Sequence, residues 1–447
     1  MIIPPLPNLL AQSNLTVFWF RRDLRLQDNH GLYQALKASD KVLPLFIFDT
    51  YILSKLDNRA DLRIQFIYSS VRQLKIDLEN IGSTLLVAYG TPIAVYQELV
   101  AQLDLRAVYT NHDYEPYARK RDQAVASYLA THQVAFHHYK DQVIFEQSEV
   151  VKDDRSPYTV FTPYMRKWKS VFQSTSVAPF RIDPLYSHFV KTTPLALCAL
   201  RDLGFTSRTF TFPSKHMNVL RIRKYDQQRD IPAILGTSRL GIHLRHGTIS
   251  VRSVIAFAYS HNMVWLNELI WREFYMMILW YFPHVCTRAF KPAYDAIPWE
   301  NNLAYFQAWC DGRTGYPIVD AGMRELNYTG YMHNRLRMIT ASFLTKHLLI
   351  DWRWGEAYFA GKLLDFELSS NNGGWQWTFG GGCDAAPYFR IFNPYLQAKK
   401  FDPLCIYTKR WVPELNTTRY PPPIVDHRKA RMRALEVYKE GLQATIT

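Results

Sequence analysis

The segment "ELIWREF" sets Glu268 and Arg272 four residues apart, with Trp271 beside them. A carboxylate can hold or give a proton, a guanidinium can grip an anion, and an indole can stack on a flat ligand. An i,i+4 ion pair between Glu268 and Arg272 would account for the charges without any ligand. "MHNRLRM" supplies Asn334, Arg335, Arg337 and Met338, whose arginines suit either a phosphate or an acidic side chain. "LLDFELSSNN" brings Asp365, Glu367 and Asn371. Next, "SSNNGGWQWTFGGGCDAAPYFRIFNP" runs from Ser369 to Pro394 with Trp375, Trp377 and five glycines. This stretch reads as too bare for a good helix and too punctuated for a strand. "GTSRLGIHL" puts Thr237 and Ser238 at a helix start, either as plain caps or, with Arg239, as a phosphate grip.

Other chemistries are absent from the sequence. It has no Walker A loop, no His-Glu-x-x-His and no Gly-x-Ser-x-Gly. Gly380 to Ala385 fits Gly-x-Gly-x-x-Ala but closes no first strand, so it is a chance match. His243 and His246 lack a third ligand nearby in sequence and read as core or surface histidines. No metal site is expected. Five scattered cysteines without a Cys-x-x-Cys fit a reducing compartment. The start lacks a basic n-region, and no stretch approaches the roughly 18 apolar residues of a membrane span. A cytoplasmic protein without membrane contact is expected. The 53 basic against 39 acidic residues, a net +14, favour a polyanionic partner such as nucleic acid.

These groups need elements to position them. Residues 13–140 alternate strand-like runs ("LTVFWF", "KVLPLFIF", "TLLVAY", "RAVYT", "VAFHHY") with helix-like segments such as "LRIQFIYSSVRQLKIDLENIG". That alternation predicts an α/β domain with a doubly wound parallel sheet. Ligands on such sheets sit at the carboxyl ends of the strands. There the first strand runs into "RRDLRLQDN", a ligand-facing or merely solvated charged loop. Residues 141–215 have weak periodicity and read as a linker. Residues 216–411 read as all-α, with "WLNELIWREFYMMILWYF" and "MHNRLRMITASFLTKHLLIDW" apolar at helical spacing. Ten of the twelve tryptophans lie beyond residue 260, more than a plain helical scaffold calls for. Residues 412–447 form a tail with a proline stop and a basic helix-like segment.

Taken together and in order, these motifs resemble the photolyase/cryptochrome family over nearly the whole chain. "VFWFRRDLRLQDNHGL" is similar to the family's opening strand and loop. "GTSRLG", "WLNELIWREFY", "GRTGYPIVDAGMRELNYTGYMHNRLRMITASFLTKHLLIDWRWGE" and "NNGGWQW...DAAPYFRIFNP" are similar to its flavin-binding helical domain. Within the family the chain looks most like bacterial class I cyclobutane pyrimidine dimer photolyases.

The resemblance implies an N-terminal antenna domain and a C-terminal domain that holds FAD. Carried over by motif, Tyr225, Thr237, Ser238, Arg239, Leu240, Gly241, Arg272, Arg337, Asp365, Glu367 and Asn371 are expected around FAD. Arg337 is expected to pair with Asp365, and Asn371 to lie next to the flavin N5. Trp271 and Trp377 are expected to flank a flipped pyrimidine dimer. Glu268 and Asn334 would bond to it, Met338 would pack near it, and Arg229 and Gln397 would contact DNA. Trp375, Trp352 and Trp299 match an electron relay from flavin to surface. The implied activity is light-dependent repair, in which reduced FAD (FADH⁻) lends one electron to the dimer, on UV-damaged DNA, by a monomer. Two other family roles remain, a blue-light receptor and a (6-4) photolyase. Asn371 argues against the first, and His333-Asn334, in place of a histidine pair, against the second.

Three positions depart from the family pattern. Glu367 replaces the second Asp of an Asp-x-Asp, Gly241 replaces a hydroxyl residue, and Tyr117-Ala118 replaces the Asn-Glu of folate-using relatives. The second chromophore stays open between deazaflavin, folate and none.

Overall fold

β1 (Leu15–Phe20) and β2 (Val42–Asp49) are buried along their whole lengths. Such continuous apolar runs suit strands covered on both faces. With β3 (Leu86–Gly90), β4 (Leu105–Asn111) and β5 (Ala135–Tyr139) they form one five-stranded sheet in the order β3-β2-β1-β4-β5. All four pairings are parallel. The computed structural model describes residues 1–6, 9–10, 12–173 and 177–443. Helices connect the strands, as parallel crossovers require. Asn29 caps the helix His30–Ala38, and Asp61 caps Leu62–Glu79, which Gly82 follows at φ +77°.

The loop after β1 is neither solvated nor open. Arg21 donates to both oxygens of Asp122 at 2.5 and 2.6 Å. Arg22 meets Asp113 at 3.1 Å and Glu115 at 3.2 Å. Arg25 and Arg252 both hold Asp141, each at 2.7 Å. Arg252 also holds Asp28 at 2.8 Å, and the Ser250 hydroxyl bonds to the same carboxylate. Burial pushes Asp23 up, although the Arg21 N–H and the Asn111 amide bond to it. Of the two readings of this loop, the solvated one fails, because its arginines and Asp28 are held by opposite charges in a largely buried network.

The chain divides into two units. One comprises residues 1–146, 172–216 and 239–257; the other comprises 147–171, 217–238 and 258–447. The stretch 141–215 thus contributes to both. It includes the helix Phe161–Val171, which buries Phe161, Tyr164 and Trp168 and so shows only a short periodic signal. The Trp168 indole donates to the buried Glu273 at 2.6 Å. At the C-terminus, the helix His427–Gln443 buries Ala430, Ala434, Tyr438 and Gly441 on one face.

The second unit is helical. Its largest helix, Met263–Tyr281, is capped by Asn262, which accepts from the N–H groups of Val264 and Trp265. "MHNRLRMITASFLTKHLLIDW" is not one continuous helix. The helix Asn334–Ser342 passes into a π-turn at Phe343–His347 and breaks at Leu349, where φ is +47°. The wider turn leaves Thr345, Lys346 and His347 all buried. Lys346 donates to the carbonyls of Phe379 and Tyr388 at 2.8 and 3.1 Å.

The glycine-rich stretch also departs from expectation, because Leu368–Phe379 is a helix. Propensity loses here to tertiary contacts. The Asn372 and Gln376 amides both donate to the Val285 carbonyl, at 2.8 and 2.9 Å. A Cβ at Gly373 would sit 2.2 Å from the Tyr275 ring, so only glycine lets the helix approach this closely. Gly380, at φ +108°, ends the helix.

Candidate active site in the helical unit

Three helices of this unit turn one face each toward a cavity of about 370 Å³. Met263–Tyr281 presents Glu268, Trp271, Arg272 and Tyr275; Asn334–Ser342 presents Asn334, Arg337, Met338 and Ala341. Each set follows the i, i+3, i+4, i+7 spacing of a single helical face. Leu368–Phe379 adds Ser370, Asn371, Gly374, Trp375, Trp377 and Thr378. A Cβ on Gly374 would meet nothing within 4 Å, so this glycine leaves the cavity wall bare.

The charges around the cavity are paired between elements, not along them. Arg272 bonds to Glu367 at 2.9 Å, and Arg229 bonds to Glu268 at 2.6 Å. The i,i+4 pair of Glu268 with Arg272 is therefore replaced by two longer-range pairs. Arg337 donates to both oxygens of Asp365, at 3.0 and 2.9 Å, the partner expected for it. Arg335 pairs with Asp230 at 2.6 Å and lies over the Phe401 ring. Burial raises Glu268 above the ordinary carboxylate range, and the adjacent Arg229 opposes that rise. Tyr225 is pushed up chiefly by burial, and the Arg229 guanidinium lies 5.4 Å from its ring.

Asn371 has a partner that sequence reasoning passed over. Its amide donates to the Glu356 carboxylate at 2.8 Å and to the Glu356 carbonyl at 3.1 Å. Burial raises Glu356, while the Asn371 bond lowers it. The Glu356 at the end of "DWRWGE" gave no local cue, since its partner is fifteen residues away on another helix.

Of the residues expected to act together, Arg229, Glu268, Trp271, Arg272, Asn334, Arg337, Met338, Asp365, Glu367, Asn371, Trp375 and Trp377 line the cavity. Trp271 stacks on Phe161 with ring centroids 3.7 Å apart and planes at 8°. Gln397 lies on the helix Pro394–Phe401, away from the lining set. Tyr225 opens the short helix Tyr225–Gln228. Thr237 and Ser238 are not helix caps. They lie in a loop, where the Thr237 hydroxyl is 3.1 Å from that of Tyr331. Arg239, at φ +56°, Leu240 and Gly241 count with the α/β unit, where the helix Gly241–His246 begins. That helix has six residues and ends at Gly247, at φ +62°. His243 is satisfied by Thr248 and the Pro213 carbonyl, both at 2.7 Å. No cluster of metal-ligating side chains occurs among the described residues.

Trp375 is buried, and its ring fills the space a Cβ on Gly355 would take. One turn before Gly355 on the helix Trp352–Lys362, buried Trp352 stacks on Phe379 at 5.2 Å and 6°. Phe379 in turn meets the half-buried Trp299 edge-on at 6.2 Å. Trp352 and Trp299 thus share Phe379 as a neighbour, and Trp375 packs on the helix that carries Trp352.

Residues 16–183 match the family described as DNA photolyase, and residues 265–418 match the FAD binding domain of DNA photolyase. The deoxyribodipyrimidine photo-lyase of Synechococcus is 38% identical over 96% of this chain and 97% of its own. That of Escherichia coli K12 is 37% identical, covering 94% and 98%. Among solved structures, a bacterial class III photolyase from Agrobacterium tumefaciens superposes with a TM-score of 0.86 at 32% identity, over 97% of this chain and 98% of that one. No helix among the described residues is long and apolar enough to cross a membrane. With this identity along almost its full length, the chain belongs to the DNA photolyase family, and its helical unit carries that family's FAD-binding domain.

Proposed function

We propose that this chain splits cyclobutane pyrimidine dimers in UV-damaged DNA, using light and a reduced FAD held in its helical unit. The observation that carries this reading is a shared cavity. The residues expected around a flavin (Arg272, Arg337, Asp365, Glu367, Asn371, Trp375) and those expected around a lesion (Glu268, Trp271, Asn334, Met338, Trp377) line the same space. The donor set fits a large, flat, polar cofactor. Gly374 leaves the wall open, and the buried Trp375 Nε1 finds no hydrogen-bond partner among the described residues. The Glu367 carboxylate, longer than the family's usual Asp, reaches Arg272.

FAD supplies, when bound and reduced, a one-electron donor driven by light. The protein's share is positioning. Trp271 and Trp377 offer flat faces to a pyrimidine pair, at ~1–3 kcal/mol per stacked base. Photolyases as a class take their target bases out of the helical stack, so flipping follows from family membership and not from the cavity's geometry. Glu268 and Asn334 offer polar groups to the pyrimidine edges, and Arg229 and Gln397 serve the DNA backbone. Tyr225, Thr237 and Ser238 complete the cofactor's setting in this unit, and Trp375, Trp352 and Trp299 form the path that resupplies electrons. We place the protein in a reducing cytoplasm, in keeping with its five free cysteines, and read it as a monomer. The N-terminal residues 13–140 are assigned the antenna role, and the absorption spectrum of the purified protein identifies deazaflavin, folate or neither.

The test is repair of a dimer-bearing oligonucleotide by the reduced protein. Intact thymines should return under blue light and not in darkness. Equal activity in the dark, or repair limited to (6-4) products, overturns the reading.

A further inference from the structure

Arg229 and Glu268 meet at 2.6 Å on the cavity lining, with side chains 24% and 30% exposed. The next residue, Asp230, pairs with Arg335 at 2.6 Å. Two consecutive residues at the end of the helix Tyr225–Gln228 thus make ion pairs of opposite sense with two different cavity helices. The Arg229 fork can face a carboxylate or a phosphate, and both compete for the same N–H groups.

We propose that lesion binding loads a proton onto Glu268: Arg229 leaves the carboxylate for a DNA phosphate, and the carboxylate, covered by the lesion and stripped of its counter-ion, takes a proton from solvent. This rests on the reading that the cavity receives a flipped dimer. The charges balance. Glu268 gains one proton, Arg229 stays cationic, and the phosphate sheds its counter-ions.

The surroundings favour this outcome. Tyr225, Arg229 and Asp230 face Glu268 from the short helix and its end; Tyr275 and Arg272 share its own helix; Asn334 and Arg337 line the cavity from a third. Arg272 is matched by Glu367 and Arg337 by Asp365. Once Arg229 moves, Asp230 remains close, and its negative charge also disfavours a second anion. Burial already raises Glu268 while Arg229 is in place, so filling the cavity and removing Arg229 both push the same way. The protonated acid gains an O–H donor for a pyrimidine carbonyl, which the ionised form lacks. Because the complex then binds more protons than its parts, lesion affinity should rise as pH falls, by at most about tenfold per pH unit between the free and bound pKa values of Glu268.

The experiment is calorimetric titration of the FAD-loaded protein with a duplex carrying one thymine dimer, in darkness, in buffers of different ionisation enthalpy. Wild type should take up a net proton, approaching about one per duplex inside that pH window. Glu268→Gln, which imitates the neutral acid, should bind without this uptake and lose the pH dependence attributable to it. Arg229→Ala should bind more weakly and also take up less, because losing the guanidinium that opposes the rise of Glu268 brings the free carboxylate closer to its bound state before DNA arrives. No uptake in wild type, the same uptake in Glu268→Gln, or undiminished uptake in Arg229→Ala overturns the proposal. Blue-light repair by the same preparations separates the two readings. A wild type that repairs dimers without proton uptake sinks only this inference, whereas one that neither binds nor repairs them sinks the function beneath it.

Discussion

The α/β unit and the helical unit use the same charged residue types in opposite ways. Below the carboxyl ends of the strands, Arg25 and Arg252 converge on Asp141, whose side chain is 1% exposed. Around the cavity, Arg337 and Asp365 are 26% and 20% exposed and face open space. The first arrangement is a closed network in which each charge is a partner to others. The second is a ring of pairs at the edge of an opening, where a ligand can compete for either member. The difference teaches that an ion pair marks a site only when one of its members can be claimed by something else.

The sharpest way to break the comparison is Asp141→Ala. It leaves two buried guanidiniums facing each other and should cost about 3–5 kcal/mol in stability, read as a lowered midpoint in chemical denaturation of the α/β unit. Burial alone would raise Asp141, but Arg25 and Arg252 outweigh it and hold the carboxyl below its ordinary range. Its contribution is therefore fully present above the unfolded value of about 3.9 and is lost as pH falls through the lower native value. Acid unfolding of wild type should carry that step, and Asp141→Ala should not.

At the cavity the effects should appear in binding instead. Trp271→Ala should weaken dimer binding by roughly 1–3 kcal/mol through lost stacking, with undamaged DNA little affected. Equal losses on both duplexes would make Trp271 a packing residue for Phe161. Trp352→Phe keeps the flat ring against Phe379 but replaces an indole with a ring much harder to oxidise. Its light-driven flavin reduction with an external donor should slow by at least about tenfold, a barrier change of ~1.4 kcal/mol, while chemically reduced enzyme still repairs. Unchanged bleaching rates would mean that electrons arrive by another route. Smallest in stability is Asp365→Asn. Partly exposed at the cavity edge, the pair with Arg337 should be worth about 1 kcal/mol, so thermal unfolding should move little. FAD retention on dilution should fall more clearly; retention as firm as wild type would place Asp365 outside the cofactor's setting.

The strands were legible because their buried runs, such as "LTVFWF", are apolar and rich in β-branched and aromatic residues. The helix Leu62–Glu79, with Gly82 beyond it, was legible from local rules alone. Leu368–Phe379 was not, since Asn-Asn-Gly-Gly opposes a helix and only the Val285 carbonyl and the Tyr275 ring, both distant in sequence, hold it. The same limit hid Glu356 behind Asn371 and left Arg229 and Glu367, the partners of Glu268 and Arg272, beyond the reach of local spacing. Residue types announced the chemistry, but pairing depends on which helices meet.

The α/β unit closes over Asp28 with Ser250 and Arg252, which belong to a segment far downstream of its last strand. On the ribosome, the five strands emerge long before that segment does. The nascent sheet must wait with Asp28 short of its Arg252 partner, and with Asp141 held by Arg25 alone, while the start of the helical unit is being made. A fragment ending after β5 would carry this deficit permanently. The α/β unit is therefore complete only once the chain has passed Arg252.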